Sequence, residues 1–339
     1  MAEAVFDPKA DSPLSDEELA RLQERYAQFD VQAEIPPLIQ EVFDVLPRSI
    51  ELLEKTANAF DHLVYAVSVE QEGTVLPLVV RINASSKAEE MLCTEAAAYA
   101  LLALHGILAP HIYATGLRTG TRAFDFMVMQ RIGTGSLEAL LTRDTAEEAA
   151  WARRAGAYLA RVHGIALPGF GMLAGTETLQ GAHASWREAF TIRLDETVQY
   201  LVQHSLLTHE EATRIKSMFD IHEALERSAS VLLHGDFHPA NIIINEVAGS
   251  IAGAVDLSQA KVGDPLFDLA FYATYVSPEI FAAFLEGYGK ELTEADQRAL
   301  ALYSLRIYLS KAKLRKRFGY EARIPVAQQG IRRALAELE

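Results

Sequence analysis

The chain has 339 residues, half of them hydrophobic and 23% charged, which is a globular rather than a disordered composition. Its net charge of −15 at pH 7 argues against nucleic acid or an anionic membrane surface as a partner, because both are bound through basic patches. The length suits two lobes better than a single core.

The first part of the chain predicts a short helical extension followed by a small sheet. Apolar residues recur at helical spacing between positions 19 and 29, and residues 1–47 form the predicted extension. Residues 48–132 form the predicted first lobe, with one helix at 86–105 and a turn at Glu72-Gly73. Its strands are expected at 48–55, 63–70, 75–83, 111–118 and 122–131.

Helices dominate beyond the break at Gly133-Thr-Gly-Ser136, so residues 133–339 form the predicted second lobe. The helices are expected at 146–163, 185–204, 208–227, 268–276, 278–288, 293–317 and 326–338. Short strands are expected at 231–234, 241–245 and 251–256. A sheet with one helix, followed by a helical part with short strands, predicts an α+β fold of the two-lobed protein-kinase type.

One stretch carries chemistry: His234-Gly-Asp-Phe-His-Pro-Ala-Asn241, followed by Val255-Asp256. Phosphoryl transfer needs a carboxylate that orients the acceptor hydroxyl, and metal ions that neutralise the triphosphate. An Asp followed five residues later by an Asn has the spacing of the protein-kinase catalytic loop. Mg²⁺ prefers hard oxygen ligands, which an amide and a carboxylate supply. We therefore predict a kinase site around Asp236, with a strand carrying Asp256 back beside Asn241.

These motifs, together with Gly263-Asp-Pro-Leu-Phe-Asp268, resemble the aminoglycoside phosphotransferase and choline kinase superfamily. The signature of that superfamily is His-Gly-Asp-x4-Asn followed by an Asp on the next hairpin, and the resemblance extends over about residues 48–320. It implies that Asp236 is the catalytic base and that Asn241 and Asp256 are Mg²⁺ ligands. It also implies ATP or GTP as the phosphate donor and a small hydroxylated molecule as the acceptor.

The nucleotide-binding residues are expected in the first lobe. Arg81 stands at the end of the third strand, where kinases carry a lysine, and it resembles the arginine of hygromycin and macrolide phosphotransferases. Glu95 in the following helix is its expected ion-pair partner, and a surface charge on an edge strand is the alternative for Arg81. The other expected nucleotide contacts are Asn58, Phe60 and His62 in a loop without glycine, and Met129, Gln130 and Arg131 as the adenine hinge.

The acceptor is expected to be a hydroxylated, cationic natural product. Residues 1–297 hold 43 acidic and 21 basic side chains, and a cleft lined by acids concentrates a polycation. Residues 298–339 hold 10 basic and three acidic side chains, which we interpret as a solvated helix end. Acceptor contacts are expected from Asp236, His238, Trp186, Phe271, Tyr272 and Tyr275, with burial in the core as the alternative for the aromatic residues.

Three functions stay open at this stage. Weak closer similarity to hygromycin phosphotransferases favours phosphorylation of an aminoglycoside-like or hygromycin-like antibiotic, and therefore antibiotic resistance. The second is a metabolic kinase for choline, homoserine, a thioribose or a fructosamine, and the third is a pseudokinase that binds nucleotide without turnover. A single cysteine, Cys93, and an N-terminus without an apolar core predict a cytoplasmic protein, which we expect to be a monomer or homodimer.

Overall fold

The computed structural model describes residues 16–53, 62–84, 91–119, 122–143, 146–227 and 229–339. The described part of the chain divides at Thr134/Gly135 into an N-terminal unit and a C-terminal unit. Within the described ranges, no helix is both long enough and apolar enough to cross a membrane.

The N-terminal unit is built on a five-stranded antiparallel sheet. Its strands are β1 (Ser49–Leu52), β2 (Leu63–Gln71), β3 (Thr74–Asn83), β4 (Ile112–Gly116) and β5 (Asp125–Gln130). Their order in the sheet is β1-β2-β3-β5-β4, and every neighbouring pair is antiparallel. Glu72 and Gly73 both have positive φ, at 50° and 77°, as a two-residue type I′ hairpin requires. The predicted turn is therefore confirmed.

Three helices accompany this sheet: α1 (Asp16–Ala27), α2 (Val31–Phe43) and α3 (Met91–Leu104). Residues of α1, α2 and the sheet form one apolar core. Helix α2 was not predicted as a separate helix, because Pro36 and Pro37 lie inside it and proline normally breaks a helix. Asp30 caps its first turn, and Ile35 next to the prolines is fully buried in the core.

Helices form most of the C-terminal unit. They are α4 (Leu137–Arg143), α5 (Glu148–Val162), α6 (Trp186–Thr191), α7 (Leu194–Gln203), α8 (His209–Ile221), α9 (Leu266–Ala273), α10 (Pro278–Tyr288), α11 (Glu294–Arg317) and α12 (Ile324–Glu337). The single helix predicted at 185–204 was wrong, because Arg193 adopts a left-handed conformation with φ 53° and separates α6 from α7. The guanidinium of Arg306 donates to the carbonyl of Ile192 at this break, at 3.2 Å.

Two small antiparallel sheets complete the C-terminal unit. Their strands are β6 (Gly135–Ser136), β7 (Phe170–Ala174), β8 (Gln180–His183), β9 (Val231–Leu233), β10 (Ile242–Asn245), β11 (Ser250–Ala254) and β12 (Lys261–Gly263). One sheet has the order β11-β10-β6 and the other β8-β7-β12-β9. The segment from β9 to β10 therefore connects the two sheets. The α+β class, with an antiparallel N-terminal sheet and a mostly helical C-terminal part, is confirmed.

Candidate active site

A loop of eight residues, His234–Asn241, connects β9 to β10 and contains the predicted catalytic residue. Asp268, in the first turn of α9, accepts hydrogen bonds from the backbone N–H groups of His234 and Gly235, at 2.7 and 2.9 Å. The same carboxylate lies 3.1 Å from Nε2 of His163, and it is fully buried. Hydrogen bonds to a charged acceptor are stronger than neutral ones, so Asp268 fixes the start of the loop.

Gly235 allows the chain to pass close to a neighbouring segment. Its φ of +79° lies in the left-handed region, and a Cβ at this position would overlap the carbonyl oxygen of Gln259. Gln259 belongs to the short 3₁₀ helix Leu257–Gln259, which directly follows Asp256. Only glycine fits both requirements, and the close approach brings the loop beside the segment that carries the second predicted acid.

His234 orients the backbone of the next residues as a neutral imidazole. Its Nδ1 accepts from the N–H of Asp236 at 3.3 Å, so its Nε2 carries the proton and donates to the carbonyl of Val255 at 3.1 Å. Burial lowers the pKa of His234 and so favours the same neutral form, although the nearby carboxylate of Asp268 acts in the opposite direction. His234 therefore connects the loop His234–Asn241 to the residue before Asp256.

Asp236 is held in one orientation by Asn241. The side-chain amide of Asn241 donates from Nδ2 to the backbone carbonyl of Asp236 at 3.0 Å and to its Oδ2 at 3.1 Å. The other carboxylate oxygen, Oδ1, lies 3.7 Å from Nε2 of His238. Asp236 is only 4% exposed, so its carboxylate is both oriented and largely shielded from bulk water.

Asp256 lies where the chain returns to Asn241. The N–H of Val255 donates to the carbonyl of Asn241 at 2.9 Å, which brings the end of the β10–β11 hairpin back to its beginning. Asp256 itself has a left-handed backbone, with φ 65°, and its Oδ1 accepts from the hydroxyl of Ser258 at 2.6 Å. A non-glycine residue in this conformation costs about 1–2 kcal/mol, and such strain is concentrated at functional sites.

The donors around Asn241 and Asp256 fit Mg²⁺. The amide nitrogen of Asn241 faces Asp236, so its oxygen points away from that carboxylate, and Asp256 adds a second carboxylate. In the described part of the chain, no three His, Cys, Asp or Glu side chains cluster as a protein-only metal cage. Mg²⁺ is typically held by one or two protein oxygens together with phosphates and water, so two hard donors suffice.

Arg81 and Glu95 form the predicted ion pair within the N-terminal unit. Nη1 of Arg81, on β3, contacts Oε1 of Glu95, on α3, and the two residues are only 5% and 2% exposed. Arg81 is opposite Val64 and Met127 in the sheet, so its strand lies between two others. The alternative of a surface charge on an edge strand was wrong.

The other residues predicted to contact the nucleotide differ in their burial, and two of them lie outside the described residues. His62 is buried directly before β2, whereas Asn58 and Phe60 lie outside the described residues. Met129 is buried, and Gln130 and Arg131 are exposed. The N–H of Gln130 donates to His111 at 2.7 Å and that of Arg131 to Pro77 at 3.0 Å. Both backbone N–H groups therefore already donate a hydrogen bond within the N-terminal unit.

The predicted acceptor residues divide into two groups. The His238 ring stacks on Tyr275, with centroids 4.5 Å apart, and on Phe271 at 6.3 Å. Trp186 and Tyr272, in contrast, are at most 2% exposed and belong to the core, which corrects their predicted role as walls of an acceptor pocket. The indole N–H of Trp186 donates to the hydroxyl of Tyr303 at 2.9 Å, and Tyr272 stacks on Phe284 at 4.1 Å.

Lys311 of α11 was not among the predicted site residues. The basic residues at the end of this helix were expected to be solvated, but Lys311 is partly buried. Its ammonium nitrogen lies 3.7 Å from the ring centroid of Tyr275. No signal in the sequence links these two residues, because α11 packs against α9 and so brings Lys311 beside Tyr275, two residues after the end of α9.

Solved structures of known proteins share the fold of this chain. The crystal structure of aminoglycoside phosphotransferase APH(4)-Ia aligns with a TM-score of 0.69 and 16% sequence identity. The aligned region covers 90% of this chain and 99% of that protein's chain. A thermostable mutant of that protein in ternary complex with ADP and hygromycin B is 15% identical, with a TM-score of 0.67 and coverages of 89% and 98%. The streptomycin–ATP–APH(2″)-IIa complex is 17% identical, with a TM-score of 0.60 and coverages of 91% and 97%.

A curated relative matches over a short stretch only. It is the uncharacterised protein YcbJ of Bacillus subtilis (strain 168), 41% identical over 59 residues, which are 17% of this chain and 19% of that protein. The model of the phosphotransferase enzyme family matches residues 53–303, close to three quarters of the chain. The chain belongs to the phosphotransferase enzyme family.

Proposed function

We propose that this enzyme transfers the γ-phosphoryl group of ATP to a hydroxyl group of a small molecule, with Asp236 as the catalytic base. The observation that carries the proposal is the double hydrogen bond from the Asn241 amide to Asp236. It aims one carboxylate oxygen away from the amide, in a loop that Asp268 anchors. This is the arrangement expected of a group that orients a substrate hydroxyl.

The proposed phosphoryl transfer at Asp236 forms one bond to phosphorus and breaks another. The acceptor oxygen forms a bond to the γ-phosphorus while the bond from that phosphorus to the bridging oxygen of ADP breaks. The hydroxyl proton passes to the carboxylate of Asp236, and ADP leaves with the electron pair of the broken bond. Asn241 keeps the carboxylate in place through Oδ2, so the other oxygen, Oδ1, is the one assigned to the hydroxyl proton.

Asn241 and Asp256 would hold Mg²⁺ through their side-chain oxygens. When bound, the ion neutralises charge on the triphosphate. Ser258 donates to one carboxylate oxygen of Asp256, and this hydrogen bond restricts how the carboxylate can turn. In the N-terminal unit, we assign Arg81 to the nucleotide phosphates, because Glu95 fixes its guanidinium and an arginine can bind phosphate through two N–H groups.

ATP is the proposed donor because relatives of the same fold are described in complexes with ADP and with ATP. The same complexes contain hygromycin B and streptomycin, which motivates an antibiotic of this kind as one acceptor class. A metabolite is the second class, and one specific observation favours it. The side chain that packs on the ring cluster beside Asp236 is a lysine, Lys311, rather than an acid.

The test is phosphoryl transfer measured over a panel of acceptors. ADP release and the mass of the phosphorylated product are followed with Mg²⁺ and ATP, for aminoglycosides, hygromycin, choline, homoserine, fructosamines, neutral sugars, hydroxy acids and sugar phosphates. We expect at least one acceptor to gain the mass of one phosphoryl group. ADP release that no acceptor stimulates, with no phosphorylated product, would contradict the proposed function.

A further inference from the structure

Lys311 of α11 reaches into a cluster of rings that leads to Asp236. Its Nζ lies 3.7 Å from the ring centroid of Tyr275 and 5.2 Å from that of Phe271, and it donates to the hydroxyl of Thr274 at 2.7 Å. The Tyr275 ring stacks on His238, whose Nε2 lies 3.7 Å from Oδ1 of Asp236. Successive contacts through Tyr275 and His238 therefore connect the lysine to the carboxylate of Asp236.

The ammonium group of Lys311 has no carboxylate within ion-pair distance among the described residues. The charged groups that act on it are Arg315, one turn further along α11, and Asp236. Desolvation of an ammonium without a counterion is costly. A ligand that brings a negative charge to this position would offset that cost, and part of the cluster is accessible, since Tyr275 is 40% exposed.

We propose that Lys311 binds an anionic group, a carboxylate or a phosphate, on the acceptor whose hydroxyl is phosphorylated at Asp236. The proposal rests on the proposed function and specifies its substrate class. The rings of His238, Tyr275 and Phe271 form an apolar cluster, and its exposed part, at Tyr275, is the surface against which the acceptor packs between its two polar ends.

A polycationic acceptor does not fit this surface. An ammonium group on the acceptor would bind over an aromatic face, but Lys311 already lies over Tyr275. Lys311 and Arg315 would also repel it. The expectation of a cationic acceptor came from the net charge of residues 1–297, whereas the charges closest to the bound molecule determine which acceptor is preferred.

The test compares three variants with the parent enzyme. Lys311→Met removes the charge with a side chain that packs among rings, Lys311→Arg keeps the charge, and Lys316→Met is the matched control. Lys316 lies on the same helix but pairs with Glu321 at the surface. KM and kcat are measured for hydroxy acids, sugar phosphates, neutral sugars and aminoglycosides. Thermal unfolding midpoints establish that each variant is folded.

We expect turnover of a hydroxy acid or of a sugar phosphate. Turnover of the hydroxy acids would identify the bound anionic group as a carboxylate, and turnover of the sugar phosphates would identify it as a phosphate. Lys311→Met should raise KM for that acceptor by about 10- to 100-fold, which is the usual loss of a hydrogen bond to a charged group. Lys311→Arg should recover much of this loss, and Lys316→Met should leave KM unchanged. Turnover confined to neutral or cationic acceptors, or an unchanged KM in Lys311→Met, would overturn the proposal.

A binding measurement separates this proposal from the proposed function. The same acceptors are titrated by calorimetry into the parent and into Lys311→Met, with ADP and Mg²⁺ present. Binding of the anionic acceptors to the parent, but about 10- to 100-fold weaker binding to the variant, supports the anion site even if no phosphorylated product forms. Phosphoryl transfer to a hydroxyl without any effect of Lys311 supports the kinase and overturns the anion site.

Discussion

The amide of Asn241 contacts Asp236 twice, at the backbone carbonyl and at Oδ2, with distances of 3.0 and 3.1 Å. The 3₁₀ turn Pro239–Asn241 sets the separation between the two residues, and Nδ1 of His238 caps this turn by accepting from Ala240 at 3.3 Å. The five-residue spacing therefore closes a hydrogen-bonded loop around the Asp236 carboxylate. This loop orients the carboxylate before any substrate binds.

Gly235→Ala should destabilise the enzyme because the added Cβ has no room. The residue has φ +79°, and the methyl group would overlap the carbonyl of Gln259. We expect the free energy of unfolding to fall by about 2–4 kcal/mol, which combines overpacking with a strained backbone. Gly249→Ala is the control, since φ is +59° there but no atom lies within 4 Å of a Cβ. Denaturant unfolding of both variants checks this, and equal losses would contradict the steric argument.

Asp268→Asn should disturb the catalytic loop although it replaces a carboxylate with a group of the same shape. The carboxylate accepts from the N–H groups of His234 and Gly235, and an amide offers only one oxygen in its place. A buried donor left unpaired costs about 1–3 kcal/mol. We expect a loss of this size in unfolding free energy together with reduced kcat, whereas the exposed Asp195→Asn should change neither. Parent-like stability and kcat in Asp268→Asn would show that the anchor is dispensable.

Arg81→Lys and Arg81→Ala separate the charge of Arg81 from its geometry. Lysine keeps the charge near Glu95 but loses the planar fork that binds phosphate through two N–H groups. We expect KM for ATP to rise about tenfold in Arg81→Lys and further in Arg81→Ala, because each hydrogen bond to a charged group contributes about 1.5–3 kcal/mol. Initial rates over a series of ATP concentrations measure this. An unchanged KM for ATP in Arg81→Ala would remove Arg81 from the nucleotide site.

Binding of the acceptor should weaken as pH rises through 7. Burial, followed by Arg315, lowers the pKa of Lys311 to about 7, and Asp236 opposes this shift. The rings of Tyr275, Phe271 and Tyr308 and the hydroxyl of Thr274 also face its ammonium group. A lysine is charged below its pKa, so attraction for an anion is complete at low pH and is lost above 7. We expect KM for an anionic acceptor to rise roughly tenfold between pH 6 and pH 8.

The control for this pH dependence is Lys311→Arg. Arginine stays charged throughout the range, so KM for the acceptor should no longer depend on pH in the variant. A KM that rises equally in the parent and in Lys311→Arg would show that the pH dependence does not come from Lys311.

The arrangement of the candidate site was predictable because its parts are close in sequence. Asp236 and Asn241 are five residues apart, and the hairpin that returns Asp256 is short, so spacing alone indicated the arrangement. The position of Lys311 beside Tyr275 was not predictable, because it depends on how α11 packs against α9. Trp186 was misassigned for the same reason: a helical pattern shows that one face is buried, but not which neighbour covers it.

The fold shows a similar division between local and long-range causes. The β2–β3 hairpin was predicted because Glu72-Gly73 encodes its own turn. In α2, burial of Ile35 and its neighbours outweighs the two prolines, and this gain depends on a sheet formed by later residues. The break at Arg193 likewise depends on Arg306, which is more than a hundred residues away and donates to the carbonyl of Ile192.

The most direct test of the central claim is single-turnover phosphoryl transfer by Asp236→Asn. With enzyme in excess over ATP and a saturating acceptor, the rate of product formation reports the chemical step. We predict that this rate falls by about 10²–10⁴ in Asp236→Asn, the usual effect of removing a general base, while the unfolding midpoint and ATP binding stay close to those of the parent. The exposed Asp220→Asn serves as the matched control and should retain the parent rate. A rate in Asp236→Asn within a few-fold of the parent would contradict the assignment of Asp236 as the catalytic base.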